Sequence, residues 1–299
     1  MQSNCNNKIL DYLNTKYLDN DSNIYRDEIE NIFKRGSKTY YNSTKFFPEK
    51  YRYNVSRLYA FVRVVDDIVD SIPQNKSLFY RVSDEFYDSY DKGESQVSVI
   101  NGFISLMNEK KIPLNHVKSF LDSMEMDLKQ DRYYDLNDML KYVYGSAEVI
   151  GLMMNKILDL PDQSEPYAKM LGRAMQYLNF IRDISEDNSL GRTYLPLNEA
   201  KEFGLNDLSL ETVKKNIDGF NSFMNMQLSR FSEWDREARK GFKYMNARIL
   251  IPIKTAEDIY CWTARKIKER PLIVYNQKVK PTPFMVKLYA ISNLRCVRP

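Results

Sequence analysis

The sequence predicts an all-α fold built as a single domain over residues 1–299, and three observations predict it. Apolar residues recur mostly at three- and four-residue steps, as in RLYAFVRVVDDIVD (57–70) and YAKMLGRAMQYLNFIRDI (167–184), whereas strand-like alternation is rare. Glycine and proline number only 10 and 11, too few for a sheet-rich chain with many tight turns. No linker-like or low-complexity segment divides the chain.

In chain order, prolines mark where helices should stop, because proline lacks an N–H and its ring crowds the preceding turn. Pro48, Pro73, Pro113, Pro161, Pro196, Pro271 and Pro281 fall near helix ends on this reading, which gives about ten helices. Pro48 and Pro73 bracket the first strongly periodic stretch, and Pro161 and Pro196 bracket the second. Pro252 stands inside a periodic stretch and is expected to kink a helix. The polar segments SDEFYDSYDKG (83–93) and DLKQDRYYD (127–135) read as solvated helix faces, with Asp84/Asp88, Asp127/Asp131 and Asp131/Asp135 carrying no chemistry.

The same spacing has another meaning in the two apolar stretches. Asp66/Asp70 and Asp183/Asp187 are each four residues apart, so each pair stands one above the other on a helix face. Carboxylates in apolar surroundings are costly unless paired or bound to a cation. Tyr59, Arg63, Asp66 and Asp70 fall at offsets 0, 4, 7 and 11, and Gln176, Asn179, Asp183 and Asp187 at 0, 3, 7 and 11. Eleven residues are about three turns, so each set is a polar stripe roughly 16 Å long. Two matching stripes point to one shared site between two helices.

The rest of the composition narrows the chemistry. Cys5, Cys261 and Cys296 are few, odd in number and scattered, which points to a reducing compartment and against a thiolate metal site. His116 is the one histidine, which excludes zinc sites built on several imidazoles. A metal here would be a hard ion on oxygen ligands, Mg²⁺ first and Mn²⁺ as its substitute. No signal-peptide pattern opens the chain and no apolar run is long enough to span a membrane, so a cytoplasmic location is expected. From Gly241 to Pro299 there are twelve Lys/Arg against three Asp/Glu, a bias that suits anionic lipid or a phosphate-bearing substrate. No nucleic-acid motif accompanies it. Tyr40, Tyr41, Phe46, Phe47, Tyr142 and Tyr144 are candidates for a pocket that shelters carbocations against ring faces.

Several stretches together resemble the squalene/phytoene synthases, the head-to-head trans-prenyltransferases: SKTYY (37–41), FFPEKYR (46–52), LYAFVRVVDDIVD (58–70), YVYGSAEVIGLMM (142–154) and RAMQYLNFIRDISEDNSLGRTYLP (173–196). The resemblance implies an isoprenoid-synthase helical bundle around a central cavity, and Mg²⁺-dependent condensation of two prenyl diphosphates. It assigns Asp66 and Asp70, with Asp183, Asp187 and Asn179, to the metal ions. Ser37, Lys38, Arg52, Arg63, Gln176, Arg182 and Arg192 become diphosphate contacts, and Tyr59, Tyr142 and Tyr260 site tyrosines. Lys278 stands where the family often has arginine, which keeps the charge but not the bidentate fork. Gly36 stands where some relatives carry histidine.

Within the family, phytoene as the product of two C20 substrates is favoured. The chain lacks the carboxy-terminal anchor of many squalene synthases, and the small Ser43 and Thr44 would leave room for a long tail. The alternative is squalene or dehydrosqualene from C15 farnesyl diphosphate, with NADPH required only for squalene. A catalytically inactive scaffold relative, and a head-to-tail prenyltransferase or terpene cyclase, are the competing classes. Peripheral membrane contact and a downstream isoprenoid enzyme are the expected partners.

Overall fold

The computed structural model describes residues 11, 25–36 and 38–296. Its helices are α1 (Tyr25–Gly36), α2 (Lys38–Thr44), α3 (Glu49–Val69), α4 (Lys76–Lys92), α5 (Ser98–Lys110), α6 (Leu114–Met126), α7 (Leu136–Val143), α8 (Val149–Ile157) and α9 (Glu165–Arg182). They continue with α10 (Ile184–Ser189), α11 (Leu197–Glu202), α12 (Leu210–Lys215), α13 (Ile217–Arg239), α14 (Ala247–Glu269), α15 (Ile273–Asn276) and α16 (Pro283–Cys296). A π-helical turn, Tyr144–Glu148, joins α7 to α8, so these run as one element. Among the described residues, nine helices have twelve residues or more, and with the α7–α8 run they match the ten or so expected; the others are short connecting turns.

The helix ends follow local chemistry. Pro48, Pro113 and Pro196 occupy the N-cap positions of α3, α6 and α11, where the missing N–H costs nothing. Asn75, Asp135, Ser209 and Asn216 accept hydrogen bonds from backbone N–H groups in the first turns of α4, α7, α12 and α13. Pro252 lies in the second turn of α14, which continues through it to Glu269.

One buried apolar cluster runs from Ile29 to Val279. α3 is at its centre: Leu58, Phe61, Val65 and Ile68 are almost wholly buried, and Phe61 stacks on Phe103 of α5 with ring centroids 4.2 Å apart. The α3 face bearing Tyr59, Arg63 and Asp66 is only half-buried and turns towards a cavity. α9 packs along α13, α8 and the π-turn, and its Gly172 makes that approach close. A Cβ at position 172 would stand 2.4 Å from the Ala147 carbonyl oxygen.

Among the described residues there is no strand, only one isolated parallel β-bridge between Arg132 and Thr193. Thr193 N–H donates to the Asp131 carbonyl at 2.8 Å, and Tyr133 N–H to the Thr193 carbonyl at 3.1 Å. This clip ties the loop after α6 to the loop after α10. The segment 127–135 is therefore not the solvated helix expected: α6 ends at Met126, and Asp127 is buried.

Candidate active site

The cavity encloses about 1080 Å³, at the upper edge of the ~300–1,000 Å³ typical of small-molecule sites. α3, α8, α9 and α14 form its long walls. Along α9, lining residues extend from Tyr167 to Asp183, a run of about 24 Å. One part of the lining is apolar, with Phe47, Leu58, Ile150, Met154, Leu171 and Ile253, and Ser43 and Thr44 are buried there. The other part is charged, at the carboxy-terminal ends of α3 and α9.

Both aspartate pairs stand at those ends. Asp70 is the C-cap of α3, its N–H donating to the Asp66 carbonyl at 2.9 Å. Asp183 is the C-cap of α9, and its carbonyl accepts from Asp187 N–H at 2.8 Å. The chain bends at Asp183, so the second stripe is carried by two helices rather than the single one expected, with its register kept across the break. A helix C-terminus carries a partial negative charge, so at Asp66 and Asp70 the backbone adds repulsion to that of the carboxylates. Burial, then the neighbouring Asp70, pushes the Asp66 carboxyl well above the usual carboxylate range, against the pull of Arg63. Burial, then Asp183 and Asp70, pushes Asp187 up to about 8. Asp70 thus bears on Asp66 of its own helix and on Asp187 across the cavity.

Basic groups hold this acidic end together. Arg63 pairs with Asp66 at 3.2 Å and also with Asp67. Arg182 Nε donates to Asp183 at 2.9 Å. Arg192 bonds Asp70 and donates to the Val69 carbonyl at 2.8 Å. Lys278 reaches Glu186, and Asp183 at 3.5 Å. Gln176 accepts from Asn179 at 3.1 Å, and Asn179 accepts from Tyr260 at 3.2 Å. Tyr59 stacks on Phe33 with centroids 4.1 Å apart. A Cβ at Gly36 would meet Tyr59 Oη and Arg63 Cγ at 2.9 Å, so these two side chains occupy the space a larger residue would take.

Of the residues picked from sequence, Tyr59, Arg63, Asp66, Asp70, Tyr142, Gln176, Asn179, Arg182, Asp183, Asp187, Arg192, Tyr260 and Lys278 all line this one cavity. Arg52 does not. It shares the stripe of Tyr59 but lies two turns earlier, roughly 16 Å from Arg63 along α3, and is absent from the lining, although Phe47 and Val55 on either side of it in the chain belong to it. Ser37 lies outside the described residues, as does the Lys38 side chain. Of the aromatics, Phe47 and Tyr142 line the cavity; Phe46 does not, and Tyr41 packs edge-on against Phe33 in the core. Tyr144 is exposed, because two helical residues turn the face through about 200° from Tyr142.

Sequence reasoning missed Asp127, Tyr194 and Lys280, all in the lining. Asp127 accepts from Tyr142 Oη at 2.7 Å and Tyr194 Oη at 2.9 Å. Burial raises its carboxyl to about 6, while Arg192 and the two hydroxyls oppose that rise. Phe180 stacks on Tyr194 at 4.5 Å, which adds a ring face beside this network.

A model of the squalene/phytoene synthases matches residues 33–284. The chain belongs to that family. It is a prenyltransferase, of the family whose members join two prenyl groups head to head. A 15-cis-phytoene synthase from Synechococcus elongatus is 25% identical over 251 residues, covering 78% of this chain and 80% of that protein. A crystal structure of a dehydrosqualene synthase with a bound ligand superposes with a TM-score of 0.80 at 20% identity, over 91% of this chain and 96% of that one. The squalene synthase HpnC from Alicyclobacillus acidocaldarius gives 0.74 at 19%, over 82% and 94%. These two likenesses establish the family member's fold: an all-α isoprenoid-synthase bundle. No helix among the described residues is long and apolar enough to cross a membrane.

Among the described residues, one group of three acidic or thiol donors lies with its ligand atoms within 4.8 Å of one another, and it is outside the cavity: Asp235, Glu257 and Cys261. Arg239 bridges it, donating to Asp235 at 2.8 Å and to Glu257. Burial, then Asp235, pushes the Glu257 carboxyl up to about 7. A raised folded pKa means the native state holds the proton more tightly, so this contribution is full below the unfolded value and is lost as pH rises through about 7. Glu257→Gln is therefore expected to flatten the fall of Tm between about pH 5 and pH 8. Thermal melts of both proteins across that range check it, and parallel slopes would contradict it.

Proposed function

We propose that this chain condenses two C20 prenyl diphosphates head to head into phytoene, through a cyclopropylcarbinyl diphosphate. The observation that carries the reading is the pair of opposed aspartate stripes at the charged part of an otherwise apolar cavity. Two features favour C20 over C15 chains. Ser43 and Thr44 leave the apolar wall open where bulky side chains would close it, and the relatives at 25–28% identity are named phytoene synthases.

The donor set suits Mg²⁺, or Mn²⁺ in its place. Asp66, Asp70, Asn179, Asp183 and Asp187 offer only hard oxygen ligands, and no histidine or cysteine lines the cavity among the described residues. The raised carboxyl pKa values of Asp66 and Asp187 mark a surplus of negative charge that a cation would relieve. Mg²⁺ commonly uses one or two carboxylates plus substrate phosphate oxygens, so the four aspartates need not close on one ion. When bound, the ions would supply Lewis-acid neutralisation of the departing diphosphate.

The chain's own groups do the rest. Arg63, Arg182, Arg192, Lys278 and Lys280 offer cationic donors to the diphosphate oxygens as charge develops on the leaving group. Breaking the first C–O bond leaves an allylic cation; the double bond of the second substrate attacks it, and a proton is lost as the cyclopropane closes. The second C–O bond then breaks, the cation rearranges, and loss of another proton gives the linear hydrocarbon. The ring faces of Tyr59, Phe180 and Tyr194 can stabilise these cations, and the apolar walls exclude the water that would quench them. A single domain suits this reading, since α3, α8, α9 and α14 all contribute residues to the same buried cluster. A reducing cytoplasm, peripheral contact with a membrane and a downstream enzyme that consumes the hydrocarbon complete the proposal.

Incubation with geranylgeranyl or farnesyl diphosphate, each with and without NADPH, tests it. The expected product is phytoene from the C20 substrate, independent of NADPH. A product formed only from the C15 substrate would refute the C20 assignment.

A further inference from the structure

A helix that packs one face on a protein normally turns a polar face to water, and α16 does not. Its inner face is buried through Val286, Ala290 and Asn293, and Asn293 donates to Asp258 of α14 at 2.8 Å. Its outer face carries Phe284, Leu288, Ile291 and Leu294, exposed by 68, 48, 48 and 46%. Phe284, Leu288 and Ile291 fall within about 60° of one another around the helix, so they form one stripe. Isolated exposed apolar residues need no explanation, but a stripe on one helix marks a contact surface.

Charge decides what the surface meets. From Arg270 to Pro299 the chain has six basic residues and no acidic one, and Lys287 stands exposed beside the stripe. A second copy would bring two like-charged faces together. Four half-exposed side chains also fall well short of the ~800 Å² per partner of a stable interface. An apolar stripe with Lys287 beside it, in a segment with no acidic residue, matches an anionic bilayer instead: side chains enter the acyl boundary while the cation meets headgroups. We infer that α16 docks the protein on an anionic lipid surface through Phe284, Leu288, Ile291 and Leu294.

The same helix lines the cavity with Pro283 and Val286, and Lys278 and Lys280 just before it belong to the charged part. Docking through α16 therefore sets the cavity wall against the membrane, so a prenyl tail or hydrocarbon product passes between lipid and protein with little exposure to water. This role for the contact rests on the prenyl diphosphate reading above; the contact itself does not.

The test is co-flotation of the full chain, without substrate, with phosphatidylglycerol–phosphatidylcholine vesicles and with phosphatidylcholine vesicles. The wild type is expected to float with the anionic vesicles, and the double variant Leu288→Gln/Ile291→Gln to partition at least ~10-fold more weakly, since two aliphatic side chains no longer enter the lipid. Prenyl transfer by that variant in detergent micelles is expected within about twofold of wild type, showing that it is folded. Equal flotation of the two proteins, or no flotation of the wild type, overturns the inference. So does a wild-type dimer in sedimentation velocity that the double variant dissolves. Flotation by a protein that forms no prenyl product would sink the proposed reaction and leave the docking intact.

Discussion

Asp66→Ala and Asp183→Ala are each expected to lower kcat by about 10³-fold or more, the largest effect of any single change in the protein. Each removes a carboxylate from a stripe that has no spare acidic ligand at the same height, and a thousandfold loss corresponds to about 4 kcal/mol of transition-state stabilisation. Stability should move the other way. Asp66 is half-buried beside Asp70 at the negative end of α3, so its removal relieves repulsion in the metal-free protein. Without Mg²⁺, Tm is expected to hold or rise in Asp66→Ala. Millimolar Mg²⁺ with inorganic diphosphate should raise the wild-type Tm, as any ligand of the native state does, and raise the variants' Tm far less. Steady-state rates and melts with and without Mg²⁺ together separate this from a folding defect. Turnover near the wild-type level in both variants would end the metal assignment.

What was legible in the sequence was local. α3 and α9 announce themselves because their apolar residues keep a helical period from end to end, and a four-residue spacing of aspartates on such a helix has one geometric meaning. That Asp70 and Asp187 then influence each other across the cavity is a product of packing, which periodicity alone does not reveal. Arg52 shows the converse limit: it keeps the stripe's register, yet it is absent from the lining that Phe47 and Val55 on either side of it reach, so register alone does not decide which side chains meet the cavity. Asp127 was hidden for a third reason. Its neighbours Lys129, Gln130, Asp131 and Arg132 are polar, so the segment reads as solvated, while its burial is made by the Arg132–Thr193 bridge, whose partners are distant in sequence. Tyr194 was missed with it, because a tyrosine after a glycine-containing loop carries no periodic signal.

Asp127→Ala is expected to have the second-largest effect, acting through the groups it holds. Tyr142 Oη and Tyr194 Oη both donate to this carboxylate, and Arg192, itself bonded to Asp70 and to Tyr194 at 3.3 Å, draws on its charge. Alanine would leave two buried hydroxyls without their acceptor at about 1–3 kcal/mol each, and strip a partner charge from a buried guanidinium. A loss of about 2–5 kcal/mol in stability and about 100-fold in kcat is expected. Asp127→Asn separates the two roles, since the amide oxygen still accepts from a tyrosine but carries no charge. Most of the stability should return, whereas kcat should stay well below wild type because the negative charge that Asp127 presents to Arg192 is gone. Wild-type kcat in Asp127→Asn would show that only the hydrogen bonds matter, and wild-type kcat in Asp127→Ala would remove Asp127 from the site altogether. A change confined to KM would move its role from positioning Arg192 for the leaving group to binding the ground-state substrate.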